Sequence, residues 1–550
     1  MQLRLPWSWR LSSLLAALAL TAPILVLLTY ALSAPSPIFS HLWDTVLWDY
    51  IANSLILVCG VCFFATLWGL PSAWFVARYD FYGRRWFRFL LIAPLVLPAY
   101  LVAYVYTEWL DYAGPVQIWL RVTFELENQS LFEIRSLPGA ILVLSLVLFP
   151  YIYWLLVVAF SRQNSRVSEA AKLLGVSKTK EFWQIALPLA RPALAVGITL
   201  VALETLADFG AVSYFSVWHL TTGIYDTWLG YSDLSAAAKL SVCLLIFVLL
   251  IVFFEQKSRQ RLGSSGQTEQ PLPLHQVSAG VSLLMMLWCS LVLALGFVLP
   301  VSMLLLQAVR YAHQTQWARF AELMGYSLSL ALAVAVIASF LALLFHVVLR
   351  SSGRASSHQL RLSSLGYAVP GTVMGIAVLI AVLQFDKSIN HLLQWLGADK
   401  VGLLFGGTLF AMGFAFLCRF QAIANGSVGA VLELQPKQQD EAAYLLGAST
   451  THIARKLWLP LAKPGVLTAF LLVFLESMKE LSAAILLRPF NVDTLTTYVY
   501  EFMSTDQFEL AALPALVIIL AGLPTIWVIQ RSMNLSSGAA RQHRQEPTHV

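Results

Sequence analysis

The sequence predicts an all-α polytopic membrane protein of about 12 transmembrane helices in two homologous six-span halves, and two observations carry that reading. The first is composition: the 550 residues are 59% hydrophobic and 12% charged, with a mean hydropathy of +0.73. Soluble proteins carry about 25% charged residues. A bilayer core about 30 Å thick instead demands runs of roughly 20 apolar residues, each adding 1.5 Å of helix. The second observation is a repeat. Glu169-Ala170-Ala171-Lys172-Leu173-Leu174-Gly175 recurs as Glu441-Ala442-Ala443-Tyr444-Leu445-Leu446-Gly447, and each copy runs through an amphipathic stretch into Leu-Pro-Leu-Ala-(Arg/Lys)-Pro. Glu169, Gly175, Pro188 and Pro192 match Glu441, Gly447, Pro460 and Pro464 at a single offset of 272 residues.

Taken in order, the apolar spans of the first half fall at about 11–32, 53–77, 89–110, 139–160, 192–215 and 236–254. Those of the second fall at about 281–308, 326–349, 362–383, 403–423, 464–487 and 510–530. The first half is therefore 1–255, with a polar loop at about 162–191, and the second is 280–532, with its matching loop at about 433–463. Between them 256–279, rich in Ser, Gly, Gln and Pro, reads as a cytoplasmic linker, and 533–550 as a cytoplasmic tail. Ala31-Leu32-Ser33-Ala34 resembles a signal-peptidase site. The apolar run before it is as long as a full span, and losing it would put the repeats out of register, so it is read as a span.

Short cytoplasmic loops collect Lys and Arg. Arg4 and Arg10, then Arg78, Arg84, Arg85 and Arg88, then Arg162, Arg166, Lys178 and Lys180 occupy alternate loops, while the intervening ones hold Asp44, Asp49, Asp226 and Asp233. Both termini are expected inside. The formal charge of +6 fits this sorting and needs no nucleic-acid partner. An even number of spans per half puts both repeated loops on the same face, related by a pseudo-twofold axis along the membrane normal. Inverted repeats would place them on opposite faces. A symmetric pair of loops suits a partner that is itself a dimer.

Each repeated loop has the makings of a docking helix. Glu169, Ala170 and Ala171, like Glu441, Ala442 and Ala443, start a turn with good helix formers and small side chains; Gly175 and Gly447 mark a break. Leu173 and Leu174, with Leu445 and Leu446, offer an apolar ridge for a helix-in-groove contact. A second amphipathic piece, Glu181 to Ile185, leads to Pro188 and Pro192, the latter expected in the first turn of the next span. The alternative is an elbow lying on the membrane surface.

This pattern, Glu-Ala-Ala, three residues, Gly, and about a dozen residues before Leu-Pro, is similar to the coupling-helix motif of permease subunits of bacterial ABC importers. The resemblance implies that the bilayer-embedded chain docks a dimer of cytoplasmic ABC ATPase subunits, which use ATP, and is fed by a periplasmic binding protein. It implies no cofactor in the chain itself and a location in the bacterial inner membrane. Glu204-Thr205-Leu206-Ala207-Asp208-Phe209-Gly210 and Leu220-Thr221-Thr222, with Glu476-Ser477-Met478-Lys479-Glu480-Leu481-Ser482 and Leu495-Thr496-Thr497, resemble fused ferric-iron importer permeases, which makes a periplasmic ferric-binding protein the implied partner. Fused thiamine permeases share the two-half plan and are the competing reading; a secondary transporter or channel with an internal repeat is the competing class. One departure from the motif is that the first loop lacks a counterpart of Pro436, which bears on elbow geometry.

Glu204 and Asp208, four residues apart, are expected on one helix face, as are Glu476 and Glu480. Glu204 stands 12 residues beyond Pro192, roughly 18 Å along a helix and so near mid-bilayer. The four acids either line or gate a cation path at the interface of the halves, or pair with Lys479, Arg419 or helix hydroxyls. No dedicated metal site is predicted. Cys59-Gly60-Val61-Cys62 has redox or metal spacing but lies inside an apolar span without a second pair, which favours packing. Leu262 to Gln267 superficially resembles an ATPase signature, yet the chain has no G-x-x-x-x-G-K-[ST] phosphate loop, and no clear hydrolase motif either.

Overall fold

The computed structural model describes residues 6–125, 132–163, 165–260, 274–352, 354–507 and 509–524. Much of the expected linker, Leu262 to Gln267 within it, the end of the last expected span and the whole expected tail lie outside these residues. Among the described residues, ten helices are long and apolar enough to cross a membrane: Trp7–Ser33, Leu47–Arg78, Leu137–Ser161, Lys178–Ala207, Leu234–Lys257, Ala279–Gln314, Trp317–Ser351, Gly371–Trp395, Leu409–Leu432 and Thr450–Lys479. The span expected at 89–110 is instead a broken pair, Arg84–Val96 and Ala99–Phe124, bent by 91°. Of the twelfth expected span, the described residues hold the apolar helix Glu509–Pro524.

The break has a plain cause. Pro98 precedes the helix starting at Ala99, and its ring excludes the α conformation from the residue before it, so Leu97 is extended at ψ 122°. The second half repeats this at the same 272-residue offset. A short helical turn Leu365–Ala368 ends at extended Val369, Pro370 follows, and the next helix begins at Gly371, not at 362.

Two further expectations are corrected. Pro192 and Pro464 do not open their spans; they lie inside helices whose first turns hold Pro188 and Pro460. Each of these helices follows a wide, π-type turn, Phe182–Ala186 or Ala454–Trp458. At their far ends, the helices stop at Ala207 and Lys479, and Asp208 and Glu480 have extended backbones at ψ 122° and 115°. Neither carboxylate therefore continues a helix face.

The halves are not packed side by side as separate bundles. Trp7–Ser33 lies against Gly371–Trp395 and the helix Arg354–Ser363 of the other half, with Ser13 Oγ donating to Gln359 Oε1 at 2.7 Å. Reciprocally, the start of the second half packs on the first. The Trp288 ring lies 5.8 Å from that of Trp68, its Nε1 donates to Ser72 Oγ at 3.0 Å, and Tyr106 donates to the Leu295 carbonyl at 2.7 Å. The first span of each half has crossed to its sibling.

Candidate functional site

At one end of the bundle, each half presents an elbow. Ser165–Leu173 and Lys437–Leu445 coincide at the 272 offset over the described residues; the position equivalent to Pro436 lies outside them. Both helices end at a glycine in the left-handed region, Gly175 at φ +71° and Gly447 at φ +83°. The next amides bond back across the turn, Val176 to the Ala171 carbonyl at 3.0 Å and Ala448 to the Ala443 carbonyl at 3.1 Å, which is the closure that a left-handed C-terminal residue permits. Ser177 and Ser449 then cap the following helix. Glu169, Ala170, Glu441 and Ala442 are exposed, Ala171 is buried and Ala443 half-buried. The leucines stand out: Leu173 and Leu174 are 89% and 81% exposed, Leu445 and Leu446 84% and 88%. Together the four leucines form an exposed apolar surface, two on each elbow.

All four predicted carboxylates meet in the middle of the molecule. Glu204, Asp208, Glu476 and Glu480 line one cavity of about 110 Å³, together with Arg419, Lys479, Tyr100 and Tyr151. Its wall includes Leu144, Val147, Leu148 and Tyr151, the centre of the 25-residue span Leu137–Ser161, so the cavity lies midway across the bundle. A second cavity of about 40 Å³ shares Glu204, Glu476, Arg419 and Tyr151 and is walled by Tyr367, Val369 and Pro370. These correspond by repeat to Leu95, Leu97 and Pro98 of the first cavity, so the two chambers are pseudo-symmetric and flank the charged cluster. Both open beside the proline breaks.

Within the cluster the charges are unevenly paired. Arg419 Nη1 donates to Glu480 Oε2, and Lys479 Nζ meets Glu476 Oε1 at 2.9 Å. Asp208 Oδ1 accepts from the amides of Ala211 and Val212 at 2.8 and 3.3 Å, and Glu480 Oε1 from that of Ala483 at 3.0 Å, so these two acids cap the helices beyond the breaks. Ser482 Oγ donates to the Ala207 carbonyl at 3.1 Å, tying the two breaks across the interface. Gly371 packs so closely that a Cβ there would lie 2.5 Å from Glu480 Oε1 and 2.7 Å from Arg419 Nη1. An unpaired charge at mid-bilayer costs at least about 2.5–3.5 kcal/mol on insertion scales. Such a cluster is therefore held by a lining of opposite charges, amides and space for water.

The sequence did not single out Tyr100, the proline breaks or the ties that anchor the elbows. Arg78 Nη2 meets Glu181 Oε1 at 2.7 Å in a buried pair, and Arg350 Nε meets Asp440 Oδ2 at 2.6 Å in a largely buried one. Agreement of Pro98 with Pro370, and of Arg78 with Arg350, at the repeat offset was the available signal.

Comparison with known proteins matches two stretches, 65–260 and 335–536, to the family model described as the binding-protein-dependent transport system inner membrane component. Over its length the chain is 28% identical to the Fe(3+)-transport system permease protein FbpB 2 of Haemophilus influenzae, covering 86% of this chain and 88% of the relative. It is 24% identical to the ferric transport system permease protein FbpB of Actinobacillus pleuropneumoniae, covering 90% and 73%. The sulfate transport system permease protein CysW of Escherichia coli matches at 29% over 37% of this chain and 68% of its own. With both halves matched, the chain belongs to the family of binding-protein-dependent transport system inner membrane components, as a fused permease carrying two copies of the domain.

Proposed function

We propose that this permease moves ferric iron, handed over by a periplasmic binding protein, into the cytoplasm, driven by a separate dimer of ATPase subunits that docks on the two elbows. The elbows then face the cytoplasm with both termini. The chain hydrolyses nothing and carries no cofactor of its own; ATP is consumed by the partner. The observation that carries the docking reading is the pair of matching elbows, each displaying two exposed leucines just before its glycine turn. Four leucines give a dimeric partner two equal footholds, each leucine contributing about 1.5–3 kcal/mol when buried.

For the cargo, the support is the ferric relatives over most of the chain and the balance of the central cavity. Four carboxylates face one guanidinium and one ammonium, a formal charge of −2, which favours a cation over an anion such as the sulfate named for one relative. Carboxylate oxygens are hard ligands suited to such a cation. Alternating closure of the two chambers would pass it on without a tight resting site, as release requires.

The test is uptake of radiolabelled Fe3+ against thiamine and molybdate, in proteoliposomes holding the permease, its ATPase and its binding protein. ATP-dependent iron uptake supports the reading. Uptake that persists without the ATPase and follows an ion gradient overturns it in favour of a secondary transporter. Leu174→Cys and Leu446→Cys should react with an impermeant maleimide from the cytoplasmic side alone.

A further inference from the structure

The four central acids are alike by repeat but unlike in circumstance. The second half's pair is held by that half's own cations, Glu476 by Lys479 and Glu480 by Arg419. At the repeat offset the first half has Ala207 in place of Lys479 and Val147 in place of Arg419, so it supplies no cation of its own. Glu204 and Asp208 accordingly form no ion pair among the described residues, and Asp208 spends one oxygen on capping amides. Beside them, Tyr100 is 4% exposed and lines the same cavity, yet its hydroxyl has no hydrogen-bond partner among the described residues. Buried hydroxyls are ordinarily satisfied, so one left open on a cavity marks a place for a ligand or water.

We infer that Glu204, Asp208 and Tyr100, all from the first half, form a one-sided transient binding site for the cargo cation, while Glu476 and Glu480 are structural acids spent on Lys479 and Arg419. The site takes a hard, multiply charged cation through two carboxylates and a phenol oxygen, with water filling the rest of its shell. Its one-sidedness follows from charge: the second half's carboxylates are already paired, so a cation in the cavity is drawn toward the first half and repelled by Arg419 and Lys479, which line the same cavity. This inference rests on the cation reading of the cavity.

The experiment uses the full complex with its ATPase and binding protein, and ferric citrate labelled with radioactive iron as the probe. Glu204→Gln and Asp208→Asn, both isosteric, should lower iron uptake per ATP hydrolysed tenfold or more, and should abolish retention of the label in equilibrium dialysis by the nucleotide-free permease and ATPase freed of the binding protein. Tyr100→Phe keeps the ring and should lower retention at least threefold. Glu476→Gln should instead lower the yield of folded complex, because it strands Lys479. Retention and coupling at wild-type level in both Glu204→Gln and Asp208→Asn overturn the inference, as does loss of retention in a well-folded Glu476→Gln equal to that in Glu204→Gln. Should Glu204→Gln fold poorly, Glu204→Asp restores the charge, and unimpaired retention in Tyr100→Phe then counts against the site. A wild-type complex that carries molybdate or thiamine and no iron overturns the iron reading itself, an outcome separate from normal iron transport by the variants.

Discussion

Arg78 and Arg350 are equivalent by the 272-residue repeat, yet they grip opposite arms of their elbows. Arg350 holds Asp440, in the helix before the glycine turn, and also donates to the Leu432 carbonyl at 2.6 Å, while Trp458 Nε1 reaches the same Asp440 at 2.8 Å. Arg78 holds Glu181, in the helix after the turn, and stacks 5.3 Å from the Trp74 ring. The acid has moved across the elbow: Ser168 stands where Asp440 would be, and Ile453 where Glu181 would be. Removing one partner of a buried ion pair costs about 3–5 kcal/mol. Asp440→Asn and Glu181→Gln should therefore both destabilise, but in different places. Hydrogen exchange should rise in Lys437–Leu445 for the first and in Lys178–Ala186 for the second. Equal loosening of both arms in either variant would contradict the division.

Gly175 and Gly447 have positive φ with nothing within 4 Å of where an added methyl group would sit, so alanine there meets conformational strain and no clash. Each substitution should cost about 1–2 kcal/mol locally. The double variant Gly175→Ala/Gly447→Ala should insert normally but lose most ATP-driven uptake, because both elbows are re-aimed together. Purified yield and uptake per ATP hydrolysed read the two effects apart, and normal coupling removes the elbows from the drive train.

Replacing Leu173, Leu174, Leu445 and Leu446 by serine removes apolar surface that touches little within the chain. The melting temperature of the permease alone should move by no more than a few degrees. Co-purification with the ATPase should fall by tenfold or more, given about 1.5–3 kcal/mol per leucine buried in a contact. Unchanged association places the docking surface elsewhere.

Gly371 differs from its repeat partner Ala99 because the Arg419 and Glu480 pair occupies the space of its Cβ. Gly371→Ala should therefore break that pair or push the helix away, lowering stability by about 1–3 kcal/mol, the usual cost of overpacking. Ala99→Gly should change it by about 1 kcal/mol or less, the helix-propensity difference alone. Thermal unfolding in detergent compares them directly.

Hydropathy and the repeat made the spans and the four acids readable in the sequence, since a buried Glu in an apolar run is rare enough to be noticed alone. Direction was harder to read. Arg84–Val96 and Ala99–Phe124 have the composition of a span, and only Pro98, whose effect is on the residue before it, turns the chain by 91°. The same limit affected Asp208 and Glu480: a four-residue spacing implies one face only while the helix lasts, and both acids stand where it has just ended to cap the next one. Arg78 looked like a sorting charge at a membrane surface, and its ion pair, like that of Arg350, required knowledge of which arm folds back.

The exchange of first spans bears on how this protein is made. Ser13 and its partner Gln359 lie 346 residues apart. At ribosomal speeds of about 5–20 residues per second, the leading helix waits roughly 20–70 s in the lipid before that partner exists. Leu234–Gln260 of its own half packs on it and is made sooner, but Ser13 lacks Gln359 throughout that interval. Biogenesis thus contains a built-in delay, and joining both halves in one polypeptide ensures that the helix left waiting is answered by its own sibling.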